Sequence, residues 1–285
     1  RLYRLSHTGI CSGLPAASLS CERAAWSFCT ERGQKTMDML WFAGQSNMEG
    51  QTEGTPADCS PVEGVQEYKY QTRSFVSLHH PAGEDVPPNL FGANDGYGSL
   101  LPDFCRSYRK VRQVPVIAVH TAKGATTIDD WEPAGQLYQA AVSKLKAALE
   151  DASEKPEHLY FIWLQGESDA VRGLSEEEYY QKLMAFKNAL KSECGVERFG
   201  IIRVGYFTCD GKDEPIIAAQ EKLVQDDSDF LMLTRVTGRL SRNPAYLNPT
   251  AAGHYNNAAM TIIGTEAGAM LGNYCAAASK DRKNV

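Results

Sequence analysis

A chain of 285 residues that is 43% hydrophobic and 22% charged is long enough to bury one sizeable core, and a single α/β domain is the default expectation. A formal charge of -6 and a pI of about 5.6 provide no basic field for nucleic acid or an anionic membrane, so neither is expected as a partner. No apolar run in the sequence approaches the ~20 residues that span a bilayer.

The 8 cysteines form no C-x-x-C pair and no Cys/His cluster with zinc spacing, so no structural metal and no cofactor are expected. Scattered cysteines fit a reducing compartment better than a disulfide framework. Residues 1–36 show neither helical nor strand period and lack the continuous apolar stretch of a secretory signal. They read as a leader or an added extension ahead of the domain at 37–285, and a cytoplasmic location is expected. Cys105 and Cys275 fall in helical patterns and read as small core residues.

From Met37 onward, short apolar runs alternate with helical patterns, the signature of a mainly parallel sheet covered on both faces. Five strands are expected: Met39–Ala43, Pro115–His120, Leu159–Leu164, Phe199–Tyr206 and Phe230–Thr234. Residues 51–98, rich in Gly, Pro, Asp and Ser, read as a long loop region before a helix near Ser99–Tyr108. Gln136–Glu150 places Leu137, Ala141, Val142 and Leu145 on one face. Ser175-Glu176-Glu177-Glu178 is a capping box opening a helix that buries Tyr179, Leu183, Phe186 and Leu190. Glu214-Pro215 opens a third helix, and a last one runs from about Asn257 to Tyr274.

In an open parallel sheet the ligand lies outside the carboxyl ends of the strands. Four polar segments fall at such ends or before the last helix. Gly44-Gln45-Ser46-Asn47-Met48 follows strand one, where a serine on a tight turn presents its hydroxyl to the cleft, or else caps a helix. Ala122-Lys123-Gly124-Ala125-Thr126 follows strand two, and a glycine there lets a backbone N–H approach a developing oxyanion, or simply makes a turn. Gln165-Gly166-Glu167-Ser168-Asp169 follows strand three and offers an amide donor and two acids, or a capped helix start. His254, just before the last helix, is placed to reach strand one as a base, although a lone histidine is usually structural. Gln45, Asn47 and Trp131 are candidate substrate contacts, Trp131 by stacking on a sugar ring. Of the other histidines, His120 ends strand two and could line the cleft, His79 and His80 lie in the long loop, and His7 and His158 read as surface residues.

Taken together, GQSNM, KGATTI, WLQGESDA and GHYNNAAMTIIGTEAG resemble, in order and spacing, the nucleophile, glycine, oxyanion and histidine blocks of the SGNH hydrolases. Their nearest likeness is to the sialate O-acetylesterase and acetylxylan esterase group, carbohydrate esterase family six. The resemblance spans roughly Met37 to Tyr274. It implies a three-layer α/β/α, flavodoxin-like sandwich and metal-free deacetylation of a carbohydrate. Ser46 would be nucleophile, His254 base, and the Ser46 amide, Gly124 amide and Gln165 side chain the oxyanion donors.

Members of the group carry an aspartate three residues before the histidine, where this chain has Ala251. That leaves two expectations: a Ser–His dyad oriented by a backbone carbonyl, or Glu167 in place of the missing acid, with Asp169 second. In another frame, Asn248-Pro249-Thr250-Ala251-Ala252-Gly253-His254 aligns Asn248 with the catalytic histidine and implies an inactive protein. The His254 frame runs into the helix without gaps and is preferred. A general short-chain carboxylesterase and a catalytically silent carbohydrate-binding protein are the alternative functions.

Overall fold

The computed structural model describes residues 36–87, 90–92, 97–208 and 210–281. Apart from Thr36, the expected N-terminal extension lies outside the described residues, as do Cys209 and His7.

The strands are β1 (Asp38–Gly44), β2 (Val65–Lys69), β3 (Ser74–Ser77), β4 (Val116–His120), β5 (His158–Leu164), β6 (Arg198–Ile202) and β7 (Phe230–Thr234). They form a 7-stranded sheet in the order β3-β2-β4-β1-β5-β6-β7. Only β3, paired with β2, runs antiparallel. β1 lies between β4 and β5 with every residue buried, which is why it reads as a continuous apolar run. Its two faces pack on different layers. Trp41 meets Phe161 edge to face on one side, while Phe42 meets Phe104 on the other.

The five expected strands are present, but the third crossover strand is shorter than expected, ending at Ile202 rather than Tyr206. Two more strands, β2 and β3, arise inside the region read as loop. Val65-Gln66-Glu67-Tyr68-Lys69 is short and half polar, because Glu67 is buried beside Lys69 rather than exposed. A buried ion pair hides the period on which a strand is recognised.

The helices are α1 (Ser46–Glu49), α2 (Leu101–Arg112), α3 (Gln136–Asp151), α4 (Glu167–Arg172), α5 (Glu176–Cys194), α6 (Asp213–Asp226), α7 (Thr237–Leu240) and α8 (Asn257–Asp281). The capping box at Ser175 and Glu178 is formed as expected, and Cys105 and Cys275 are buried core residues. α2 packs along α8, whereas α3, α5 and α6 pack in succession. α8 approaches α2 through Gly264, Gly268 and Gly272. A Cβ on Gly268 would stand 2.2 Å from the Phe104 carbonyl oxygen, and one on Gly264 2.5 Å from that of Leu100. The helices therefore touch backbone to backbone, a contact that any larger side chain would wedge apart.

Candidate active site

Ser46 occupies the first turn beyond the carboxyl end of β1. The strand leaves the sheet at Gly44, whose φ is 145° and where a Cβ would stand 2.0 Å from the Leu164 oxygen. Only glycine fits that close pass beside β5. Gln45 then precedes the four-residue helix α1, so the Ser46 N–H is at a first helical position with no acceptor inside the helix.

His254 arrives from the loop ahead of α8. That loop is pinned by an isolated bridge between Leu247 and Tyr255 and by Asn248 N–H donating to the His254 carbonyl at 2.8 Å. His254 Nε2 is 2.9 Å from Ser46 Oγ, and Nδ1 is 2.9 Å from the Ala252 carbonyl oxygen. A carbonyl only accepts, so Nδ1 carries the proton. The Nε2 lone pair is then left to accept from the serine hydroxyl. Asn248, the histidine position of the other frame, instead donates to the Gln51 carbonyl and accepts from Thr250. It shapes the loop.

The carboxylate of Glu167 does not orient the imidazole. It accepts from Asn47 Nδ2 at 2.9 Å. Asn47 Nδ2 also donates to the Gly253 carbonyl at 3.2 Å, and Asn47 Oδ1 accepts from Tyr255 N–H at 3.3 Å. Asn47 thus clips the histidine loop to the nucleophile turn, with Glu167 behind it. Burial pushes the Glu167 carboxyl up to about 7, against the Asn47 hydrogen bond that lowers it.

Beside Ser46, the Gly124 N–H donates to Glu49 Oε2 at 2.6 Å. A Cβ on Gly124 would stand 3.5 Å from that of Ser46, so the amide is at the nucleophile but already engaged. Gln51 also hydrogen-bonds Glu49, whose carboxyl is raised by burial.

Residues 36–265 match the family described as carbohydrate esterase, sialic acid-specific acetylesterase. The chain belongs to that family. This carbohydrate esterase is a carboxylic ester hydrolase, and O-acetyl hydrolysis is the activity of its class. Its fold is shared with a protein from Arabidopsis thaliana at 18% identity and a TM-score of 0.63, covering 84% of this chain and 99% of that one. A carbohydrate acetylesterase from Xanthomonas citri aligns at 17% identity and a TM-score of 0.52, over 80% of this chain and 54% of that one. No curated protein sequence matches the esterase significantly.

Several residues expected to face the substrate are turned inward. Trp131 is 1% exposed, stands edge to face against Trp163 and donates its Nε1–H to Thr126 Oγ1. It cannot stack on a sugar. Gln165 is fully buried, with its amide nitrogen donating to Asp169 and to the Thr126 carbonyl. Its donor capacity is spent holding the ends of β4 and β5 together, not aimed at an oxyanion. Gln45 Oε1 accepts from the amides of Gly166 and Ser168, which fixes that side chain to the end of β5, and Asn47 is the clip already described, with both its amide atoms engaged inside the protein. Asp169 accepts from Ile128 N–H rather than capping α4. His120 is buried against the Met48 carbonyl, and burial lowers its pKa to about 3. His158 is buried as well.

A backbone carbonyl behind the histidine is among the expectations, but nothing in the sequence singles out that of Ala252. One group does escape the sequence reading. Glu49, a carboxylate three residues after the nucleophile on α1, is one helical turn from Ser46, a spacing from which its proximity follows.

Proposed function

We propose that this esterase removes acetyl groups from carbohydrate hydroxyls by a Ser46–His254 dyad, with the Ala252 carbonyl in the place of a triad acid. The observation that carries this is the Oγ–Nε2 contact of 2.9 Å with Nδ1 held at 2.9 Å by that carbonyl.

Ser46 Oγ attacks the acetyl carbonyl carbon while Nε2 takes its proton, giving a tetrahedral oxyanion and an imidazolium. Collapse breaks the ester C–O bond as Nε2 returns the proton to the departing sugar hydroxyl, leaving acetyl-Ser46. Water, deprotonated by the same nitrogen, then attacks the acyl carbon, and acetate leaves with Ser46 restored. The Ala252 carbonyl dipole fixes the tautomer and partly stabilises the imidazolium, without the full charge of a carboxylate. Oxyanion stabilisation comes first from the Ser46 amide. The Gly124 amide contributes only where Glu49 withdraws.

The test is hydrolysis of p-nitrophenyl acetate and of acetylated xylo-oligosaccharides and O-acetyl sialic acid, with mass spectrometry of acid-quenched enzyme. Acetyl-Ser46 should appear in the parent and vanish in Ser46→Ala. Ser46→Ala and His254→Ala should each lose ~10³-fold or more in kcat, with the double variant little worse, because the pair acts as a unit. Sugar esters should be turned over better than the simple ester. Ser46→Ala activity within tenfold of the parent overturns the assignment. Loss of preference for sugar esters makes the protein a general short-chain esterase.

A further inference from the structure

At the end of the sheet opposite Ser46, Asp38 and His158 are direct partners across the β1–β5 ladder. β1 has 7 residues, so about 20 Å of strand separates this end from the catalytic turn. Asp38 is fully buried and His158 is 2% exposed. Glu157 precedes His158, with its N–H donated to the Met37 carbonyl.

The hydrogen bonds leave three ligand atoms facing one another. Asp38 Oδ2 accepts from Tyr108 Oη at 2.7 Å and lies 3.1 Å from Arg112 Nε, while Oδ1 has no hydrogen-bond partner among the described residues. Arg112 Nη2 pairs with Glu157 Oε2 at 2.9 Å, and Glu157 Oε1 turns toward His158 Nε2 at 3.8 Å. His158 Nδ1 is hydrogen-bonded to the Glu197 carboxylate at 3.0 and 3.2 Å, and its buried Nε2 has no hydrogen-bond partner. One ligand atom from each of Asp38, Glu157 and His158 lies within 4.8 Å of the other two.

With Nδ1 held by the Glu197 carboxylate, Nε2 is the ring nitrogen left to a ligand, and Asp38 and Glu157 each bring a carboxylate oxygen close to it. Buried lone pairs left without a partner are unfavourable, and a cation placed among these atoms would take them up. Arg112 offers one positive charge to the two carboxylates and reaches only their far oxygens. A histidine whose second nitrogen is held by a carboxylate, beside two further carboxylate oxygens, is the donor set of a Zn²⁺-type ion with its orienting outer partner in place.

We propose that Asp38, Glu157 and His158 bind a divalent transition cation of the Zn²⁺ type, which ties the starts of β1 and β5 together. Zinc bonds of ~2.0–2.2 Å require the three ligand atoms to draw together by roughly 1 Å, a movement open to the partly exposed Glu157 side chain. The role is structural, because the site stands a strand's length from Ser46.

The experiment titrates ZnCl2 into chelator-stripped full-length protein by calorimetry, follows thermal unfolding, and records the visible spectrum with Co²⁺. One equivalent should bind and raise Tm, and Co²⁺ should give d–d bands without a sulfur charge-transfer band. Glu157→Gln, whose side chain is at the surface, should weaken Zn²⁺ binding at least ~10-fold and remove the Tm rise, and Glu197→Gln should weaken it by ~10–100-fold. Both variants should hydrolyse p-nitrophenyl acetate like the parent, which shows that they fold. Absence of Zn²⁺ binding, a sulfur band, or a site unchanged in Glu157→Gln and His158→Gln overturns the proposal.

Discussion

Replacing Glu167 by glutamine separates two roles that its position at the end of β5 allows. Its carboxyl is pushed up to about 7 by burial, from an ordinary 4.5. The native state therefore holds a proton that the unfolded chain releases throughout the interval between those values. Stability from this group is fully present below about pH 4.5 and is lost as pH rises through about 7, because the ionised form is what the buried site disfavours. The loss across the window is about 3 kcal/mol, with the relief from the Asn47 hydrogen bond already contained in the net shift. Glutamine keeps an oxygen for Asn47 Nδ2 and never ionises. Urea denaturation of parent and Glu167→Gln from pH 4.5 to 8.5 should give a difference that grows with pH in favour of the variant, whatever its constant offset. At neutral pH the kcat of Glu167→Gln should stay within about tenfold of the parent, since the imidazole rests on the Ala252 carbonyl. A stability difference that is flat in pH, or grows toward low pH, refutes the buried-acid account. A fall in kcat of ~10²–10⁴ with KM unchanged, the loss typical of a triad acid, makes Glu167 the acid after all.

Asn47→Ala should cost more than its size suggests: three hydrogen bonds disappear, worth about 2–4 kcal/mol in a urea midpoint series. The histidine loop loses its clip, so kcat should fall ~10²-fold, and an unchanged kcat would mean that the loop holds its own geometry. Glu49→Ala frees the Gly124 amide beside the developing oxyanion and should raise kcat on p-nitrophenyl acetate, up to the ~10²-fold worth of one such donor. A tenfold fall instead would make Glu49 a required group. Gly268→Val should lower Tm by several degrees and reduce kcat without touching the cleft, and unaltered thermal unfolding would contradict the close α2–α8 approach.

The parts legible in the sequence are those where one physical demand dominates. β1, β4 and β5 are buried on both faces and so read as unbroken apolar runs, and the Ser175 box announces α5 through side chains that have no other use in that order. Ser46 and His254 were visible because strand ends and helix starts in a parallel sheet converge. What stayed hidden was orientation. Gln45, Asn47, Gln165 and Trp131 all belong to the polar rim by position, yet each is turned to a partner inside the protein, and a one-dimensional pattern holds no information on which way a polar tip points once both directions offer a hydrogen bond. β2 is masked in the sequence for a related reason, since Glu67 takes a core position only because Lys69 and the Gly83 amide accompany it. His158 read as surface because Glu157 and His158 together look like a solvated strand start, whereas Glu197 and Asp38 enclose the ring.

The glycine seat between α2 and α8 bears on the chemistry although it lies further along α8 than any residue of the site. α8 has 25 residues and is about 37 Å long, and His254 hangs three residues ahead of its first turn. A helix seated by backbone contact at residues 264, 268 and 272 is held against sliding along its own axis as well as against moving away. One residue of slip is 1.5 Å, enough to carry Nε2 out of hydrogen-bonding range of Ser46. The alignment of base and nucleophile is therefore set in part like the throw of a bolt, by a detent well down its shaft. Variation along that shaft would be expected to tune the rate while every residue that touches substrate stays the same.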